Sequence, residues 1–237
     1  MAGLVHGFFS RQGGVSPPPF DGLNVAVSVG DDPDNVRRNL ELIRRSLGLE
    51  ALASVQQIHG CDIVLADHHL PADPLTPLAR ADGLMTDRAG VGLVIKLADC
   101  QGIILVDPVR RAVAALHAGW RGLRDGVVEA GVAAMRQNFG SRPSDLIAGV
   151  SPSLGPCCSE FVNYRQELPR QWLEFRQGPV HFDLWSITRA KLIVAGLAPE
   201  MIQFSGRCTK CDSQAFFSHR GQGPRTGRFA VVVGFRR

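Results

Sequence analysis

A chain of 237 residues that is 45% hydrophobic and 20% charged can fill one sizeable core, and it is too apolar for a disordered or coiled-coil protein. The net charge of +4 is small and scattered, with no Lys/Arg block interleaved with stacking aromatics, which excludes a nucleic-acid stripe and leaves small anions as fitting partners. The opening MAGLVHGFFSRQGG lacks the basic region and sustained apolar run of a leader, and no stretch approaches the ~20 apolar residues that span a bilayer, so a cytoplasmic chain without membrane contact is expected.

The first predicted element is the helix PDNVRRNLELIRRSLG. Val36, Leu40, Ile43 and Leu47 form one stripe, Asp32 caps the start, Pro33 sits in the first turn and Gly48 is the stop. Short β-branched runs bounded by turn residues follow: ASVQQIH, DIVLAD, VGLVIKL, GIILVDP and AVAALH. A second helix is predicted from about Gly122, with Leu123, Val127, Ala130 and Ala134 on one face and Gly140 as its end. After the strand LIAGVSP comes a third helix, DLWSITRAKLIVAG, capped by Asp183 and closed by Gly196, and then the strand RFAVVVGF. Several strands are apolar on both faces, the signature of sheet covered on both sides. The expected fold is α/β (α+β): a single-domain layered sandwich of α/β/β/α type with mixed sheets over residues 1–237.

Six cysteines, at 61, 100, 157, 158, 208 and 211, form no regular framework, so they read as free thiols rather than as a disulfide scaffold. Cys100 lies just past VGLVIKL, His117 near the end of AVAALH and His59 at the end of ASVQQIH. Strand ends are where a sheet offers rigid yet reachable side chains. Two imidazoles and a thiolate suit Zn²⁺ with a fourth position open to water or substrate. A cysteine nucleophile with His117 as base, or ordinary packed residues, are the competing readings of the same three positions. The CTKC at 208–211 has zinc-knuckle or redox spacing, but adjacent Cys157 and Cys158 make poor partners in a tetrahedron, so these four read as core or loop thiols. His6 and the pair His68-His69 read as surface or turn residues.

Several blocks in order carry a resemblance: SRQGGVSPPPFDGLNVAVSVGDDPDNVRRN, SVQQIHG, ADGLMTDRAGVGLVIKLADC, VAALHAGWRG, SPSLGPCCSEF and CTKCDSQAFFSHRGQGPRTGRFA. Nearly end to end, the chain resembles the laccase-domain or polyphenol-oxidase family of YfiH type, described as zinc-dependent purine nucleoside phosphorylases. The resemblance implies a single-domain layered α/β sandwich and one metal ion, zinc or copper, on His59, Cys100 and His117. It also implies phosphorolysis of adenosine, inosine and methylthioadenosine, with adenosine deamination as a side activity. Departures from the family's pattern, Gln101-Gly102 after the A-D-C cysteine, Ser159 for a tyrosine and His219 for a tyrosine, bear on substrate preference and spare the ligands.

Phosphorolysis needs an anion held beside the anomeric carbon, and arginine grips phosphate bidentately. Arg121 is the first candidate and Arg11 the second. Asn24, Gln57, Asp82 and Asp99 are candidates for binding substrate or orienting the ligands. The expected partners are a purine nucleoside and phosphate, with the chain a monomer or a small homo-oligomer. Copper oxidation of phenols is the rival from the family's older description, but seven histidines without a His-x-His pair cannot build a multicopper centre. The spaced Pro-Cys-x-x-Cys of nucleic-acid deaminases is absent as well.

Overall fold

The computed structural model describes residues 2–67 and 69–237, so His68 of the predicted surface pair lies outside the described residues. Strands β1 (Leu4–Phe8), β2 (Ala51–Ser54), β5 (Val91–Leu97) and β12 (Phe229–Phe235) build a four-stranded sheet in the order β1-β12-β5-β2. A six-stranded sheet takes β3 (Ile63–Leu65), β4 (Gly83–Thr86), β6 (Gln101–Asp107), β7 (Ala112–Ala118), β8 (Ile147–Val150) and β11 (Ile202–Phe204), in the order β11-β8-β6-β7-β4-β3. Each sheet mixes parallel and antiparallel pairs: β2 runs parallel to β5 while β12 is antiparallel to it, and β3 runs parallel to β4 while β7 is antiparallel to β4.

Three apolar layers follow from strand alternation. On β7, Val113 and Ala115 face the four-stranded sheet and pack with Leu93, Ile95, Val231 and Val233 between the sheets. Ala114 and Leu116 face the other way, against the helices α3 (Val127–Phe139) and α5 (Leu184–Val194). The outer face of the four-stranded sheet, with Val94 and Val232, is closed by Val36, Leu40 and Ile43 of α1 (Pro33–Leu47). This is the α/β/β/α layering expected from the doubly apolar strands, and all seven residues of β6, β7 and β12 are buried.

Asp32 caps α1 by accepting from the Asp34 N–H, and Gly48 ends it in the left-handed region. The second predicted helix is two. The chain turns helical at Trp120, forming α2 (Trp120–Asp125), and Gly126 at φ 101° interrupts it, because that angle is closed to a continuing right-handed helix. Two further one-turn helices, α4 (Tyr164–Glu167) and α6 (His219–Gln222), the two-residue strands β9 (Arg176–Gln177) and β10 (His181–Phe182) and four short 3-10 turns join these elements. No helix of the described residues is long and apolar enough to cross a membrane.

The strand predicted over ASVQQIH stops at Ser54. Gln57 substitutes its side-chain amide for backbone pairing with β5: Nε2 donates to the Lys96 carbonyl and Oε1 accepts the Lys96 N–H, both at 2.9 Å. Residues 58–60 are then drawn away by a carboxylate from the other sheet. Hence His59 stands on a loop, five residues beyond its strand.

Candidate active site

His117 shares the inter-sheet face of β7 with Val113 and Ala115, and it lies where the layer between the sheets runs out. Cys100 occupies the short link from β5 to β6, partly buried against that layer. His59 reaches the same spot from its loop. The donor atoms of His59, Cys100 and His117 all lie within 4.8 Å of one another, and the two imidazoles meet edge to face with ring centres 4.8 Å apart.

Asp82, with no exposed surface, organises this trio. Its carboxylate accepts the N–H groups of Ile58 (3.1 Å), His59 (2.9 Å) and Gly60 (2.7 Å), and binds His117 Nδ1 at 2.7 Å. Its backbone carbonyl accepts the His117 N–H. One side chain thus sets the loop of one histidine and the ring orientation of the other, leaving His117 Nε2 for the site. Burial opposes its charge, but the His117 hydrogen bond and the Gly60 and Ile58 N–H donors outweigh it and hold the carboxyl below its ordinary value.

Two non-glycine residues here lie in the left-handed region: His59 at φ 63° and Asp99 at φ 88°. Such conformations cost on the order of 1–3 kcal/mol and persist only where surroundings impose them. At His59 the imposing group is Asp82. Asp99 is clasped by the Thr209 and Ser218 hydroxyls, each at 2.7 Å, and by the Arg220 N–H at 2.6 Å. The clasp fixes the residue that precedes Cys100 and so aims its sulfur.

The donor set fits a divalent metal on three grounds. Ligand type and number are those of an open zinc site. Burial would push the Cys100 thiol up, yet the His117 charge and hydrogen bonds from His117 and His59 bring it down to about 6, so the sulfur is ready as thiolate. Burial would lower His117, but the Cys100 thiolate and Asp82 raise it to about 9, so binding a metal at this ring would release a proton. Third, the backbone at Gly119 forms the wall of the site: a Cβ there would stand 3.0 Å from His59 Cδ2 and 3.1 Å from Cys100 Sγ. Gly119→Ala is therefore expected to weaken the hold of these three donors on a divalent metal by about 10–100-fold, the range for disturbed support of metal ligands. Competition with a chromogenic chelator measures it, and unchanged affinity would contradict this geometry.

Above the trio opens a cavity of about 780 Å³, within the range of small-molecule sites. Cys100, His59 and His117 lie on its wall with Gln57, Asp99, Gln101, Trp120, Arg121, His219, Arg220, Arg228 and Lys96. Arg121 stacks on the Trp120 ring, 4.4 Å from its centre. Among the described residues, no carboxylate forms an ion pair with Lys96, Arg121, Arg220 or Arg228. Burial pulls Lys96 below its ordinary value, and it pulls Arg228 down against the nearby Cys100 and Asp99 charges. Gln101 is buried and donates to the Leu184 carbonyl, while its Oε1 has no partner among the described residues.

Of the positions picked from sequence, His59, Cys100, His117, Arg121, Gln57 and Asp99 line this cavity. Asp82 stands behind the histidines. Arg11 and Asn24 lie away from the cavity lining: Arg11 binds Asp21 and the Ser213 carbonyl and covers the Phe217 ring, and Asn24 ties Asp31, the Ala26 backbone and the Arg228 N–H together. Lys96, Arg220 and Arg228 escaped the sequence reading. Lys96 had a visible sign, being the single charge in an otherwise apolar strand.

The four cysteines read as core or loop thiols converge on one spot. Cys157, Cys158, Cys208 and Cys211 bring their sulfurs within 4.8 Å of one another, because two turns remote in sequence are stitched side by side. Burial and neighbouring thiols push Cys157 up to about 11 and Cys158 further, while Cys208 is held down against burial by the Cys211 and Gly155 N–H groups.

An α/β/β/α sandwich with a His₂Cys donor set at the floor of a cationic cavity defines the class. Residues 5–236 match the family model described as multi-copper polyphenol oxidoreductase laccase, and the chain belongs to that family. It is similar to the purine nucleoside phosphorylase YlmD of Geobacillus stearothermophilus, 36% identical over all of this chain and 92% of that protein, and to a purine nucleoside phosphorylase of Xylella fastidiosa, 35% identical over 93% of this chain and 87% of that protein. Its structure superposes on the crystal structures of Bacillus licheniformis YfiH (TM-score 0.92, 29% identity, 98% of this chain and 93% of that one) and G. stearothermophilus YlmD (TM-score 0.90, 33% identity, 100% and 93%).

Proposed function

We propose that the protein is a zinc-dependent purine nucleoside phosphorylase acting on adenosine, inosine and methylthioadenosine, with deamination of adenosine as a side reaction. The observation that carries this reading is the open His59–Cys100–His117 donor set at the floor of a cavity whose cations have no carboxylate partners. Relatives over the full chain bear the name of that activity.

In this reading Arg121, with Arg220, Arg228 and Lys96 around it, binds hydrogenphosphate beside the anomeric carbon of the nucleoside. Trp120 braces the Arg121 guanidinium through their stacking, and Gln101 Oε1 accepts a hydrogen bond from the nucleoside. A phosphate oxygen bonds to C1′ as the C1′–N9 bond breaks. The electron pair leaves with the purine, and the proton of hydrogenphosphate balances it, giving free base and ribose 1-phosphate. A metal ion held by His59, Cys100 and His117 would supply Lewis acidity at the cavity floor and, for deamination, an acidified water.

The test incubates protein of known metal content with inosine or adenosine, with and without phosphate. Phosphate-dependent release of hypoxanthine or adenine together with ribose 1-phosphate, lost on chelation, is expected. Phenol turnover with no nucleoside cleavage would favour the copper oxidase instead. The thiolate–imidazolium pair of Cys100 and His117 favours a second reading, a cysteine hydrolase. Chelation separates the two, because it frees the sulfur and would raise a hydrolase's activity.

A further inference from the structure

We propose a second metal site in this protein: a structural zinc ion held by the four thiolates of Cys157, Cys158, Cys208 and Cys211. Its donors come from two turns. Gly155–Cys158 is closed by the Cys158 N–H donating to the Gly155 carbonyl at 2.9 Å, and Cys208–Cys211 by the Asp212 N–H donating to the Cys208 carbonyl at 3.0 Å. Backbone pairing holds the turns together: Ser153 N–H donates to the Arg207 carbonyl and Thr209 N–H to the Ser153 carbonyl. Both cysteines of the first turn can therefore face both of the second, which adjacency in sequence seemed to forbid.

The distances discriminate between a metal and a covalent bond. In a tetrahedron with zinc–sulfur bonds of about 2.3 Å, neighbouring sulfurs stand about 3.8 Å apart. Cys211 Sγ lies 3.6 Å from Cys157 Sγ and 3.5 Å from Cys158 Sγ, close to that edge and far from the ~2.05 Å of a disulfide. The second turn also has the zinc-knuckle form, C-x-x-C. Two of the sulfurs are exposed, so an ion can enter.

The position gives the ion a task. Thr209, between the two knuckle cysteines, donates its hydroxyl to Asp99, which precedes Cys100. The same segment runs on to Ser218 and Arg220, the other two members of the Asp99 clasp. Zinc on the four thiolates would staple this cavity wall to the Gly155–Cys158 turn.

Metal analysis of protein expressed with added zinc and purified under reducing conditions decides the matter. The proposal expects about two zinc ions per wild-type chain, about one in Cys208→Ser/Cys211→Ser, and about one in His59→Ala/His117→Ala. Loaded with Co²⁺, the histidine variant should show the intense visible and thiolate charge-transfer bands of tetrahedral tetrathiolate cobalt, and hydrogen exchange of residues 205–220 should quicken when that ion is stripped. This variant leaves all four thiols intact, so its result stands even if the cysteine variant fails to fold. The proposal is overturned if the histidine variant takes up neither zinc nor Co²⁺. It is equally overturned if the reduced preparation has the mass of a disulfide-bonded chain. Either outcome leaves the His₂Cys site, and the phosphorylase reading built on it, untouched.

Discussion

In the phosphorylase proposed above, Cys100→Ala is expected to abolish stable metal binding at the His59–His117 site and to lower kcat/KM for phosphate-dependent inosine cleavage by about a thousandfold or more. Lewis-acid stabilisation of developing charge is worth several kcal/mol, and each ~1.4 kcal/mol is a factor of ten in rate. Two imidazoles remain in the variant, but without the thiolate they lack the only formal negative charge of the donor set. Steady-state kinetics with metal analysis on the same samples checks the result. A variant that retained both metal and rate would break the link between the donor set and the activity.

Asp82→Asn should have the second large effect, although the residue is outside the cavity. The substituted amide keeps the shape but brings an N–H₂ into a pocket of N–H donors, and it leaves the His117 ring without its counter-charge. Breaking a buried pair of this kind costs about 3 kcal/mol, and losing the partner of a ligand histidine weakens metal binding about 10–100-fold. The pH dependence has a definite sign. A carboxyl held below its ordinary value contributes stability that is complete above the unfolded-state pKa of about 3.9 and is lost as pH falls through the lower native value. The gap between wild type and Asp82→Asn in urea unfolding of the metal-free proteins should therefore be full at neutral pH and shrink in acid. An unchanged gap across that range would assign the effect to shape rather than charge.

Local patterns in the sequence spoke clearly where one segment decides its own fate. The cap of α1, its apolar stripe and its glycine stop are all local features, as is the doubly apolar character of β5, β6, β7 and β12, which leads to covered sheets. His117 and Cys100 could be placed near strand ends for the same reason. His59, read as the end of a strand, stands on a loop instead, because that loop is shaped by Asp82, which precedes β4 of the other sheet, and by the Gln57 amide pairing in place of backbone. The helix break at Gly126 could not be placed, since the apolar stripe continues across it. Arg11 and Asn24 looked like groups awaiting a ligand, but each is engaged by the protein itself. The convergence of four cysteines depends on pairing between Ser153 and the segment around Cys208, a contact that no spacing rule contains.

The place of β12 has a consequence for how the protein is made. Phe229–Phe235 separates β1 from β5 and joins both by antiparallel pairing, so the sheet is completed by the strand that emerges after all its others. Until that segment docks, Ile95 and Leu93 lack their cross-strand neighbours Val231 and Val233, and both flanking strands offer open hydrogen-bonding edges. The four-stranded sheet therefore closes only when this last of its strands docks between two that precede it by more than a hundred residues, a long-range pairing of the kind that slows folding.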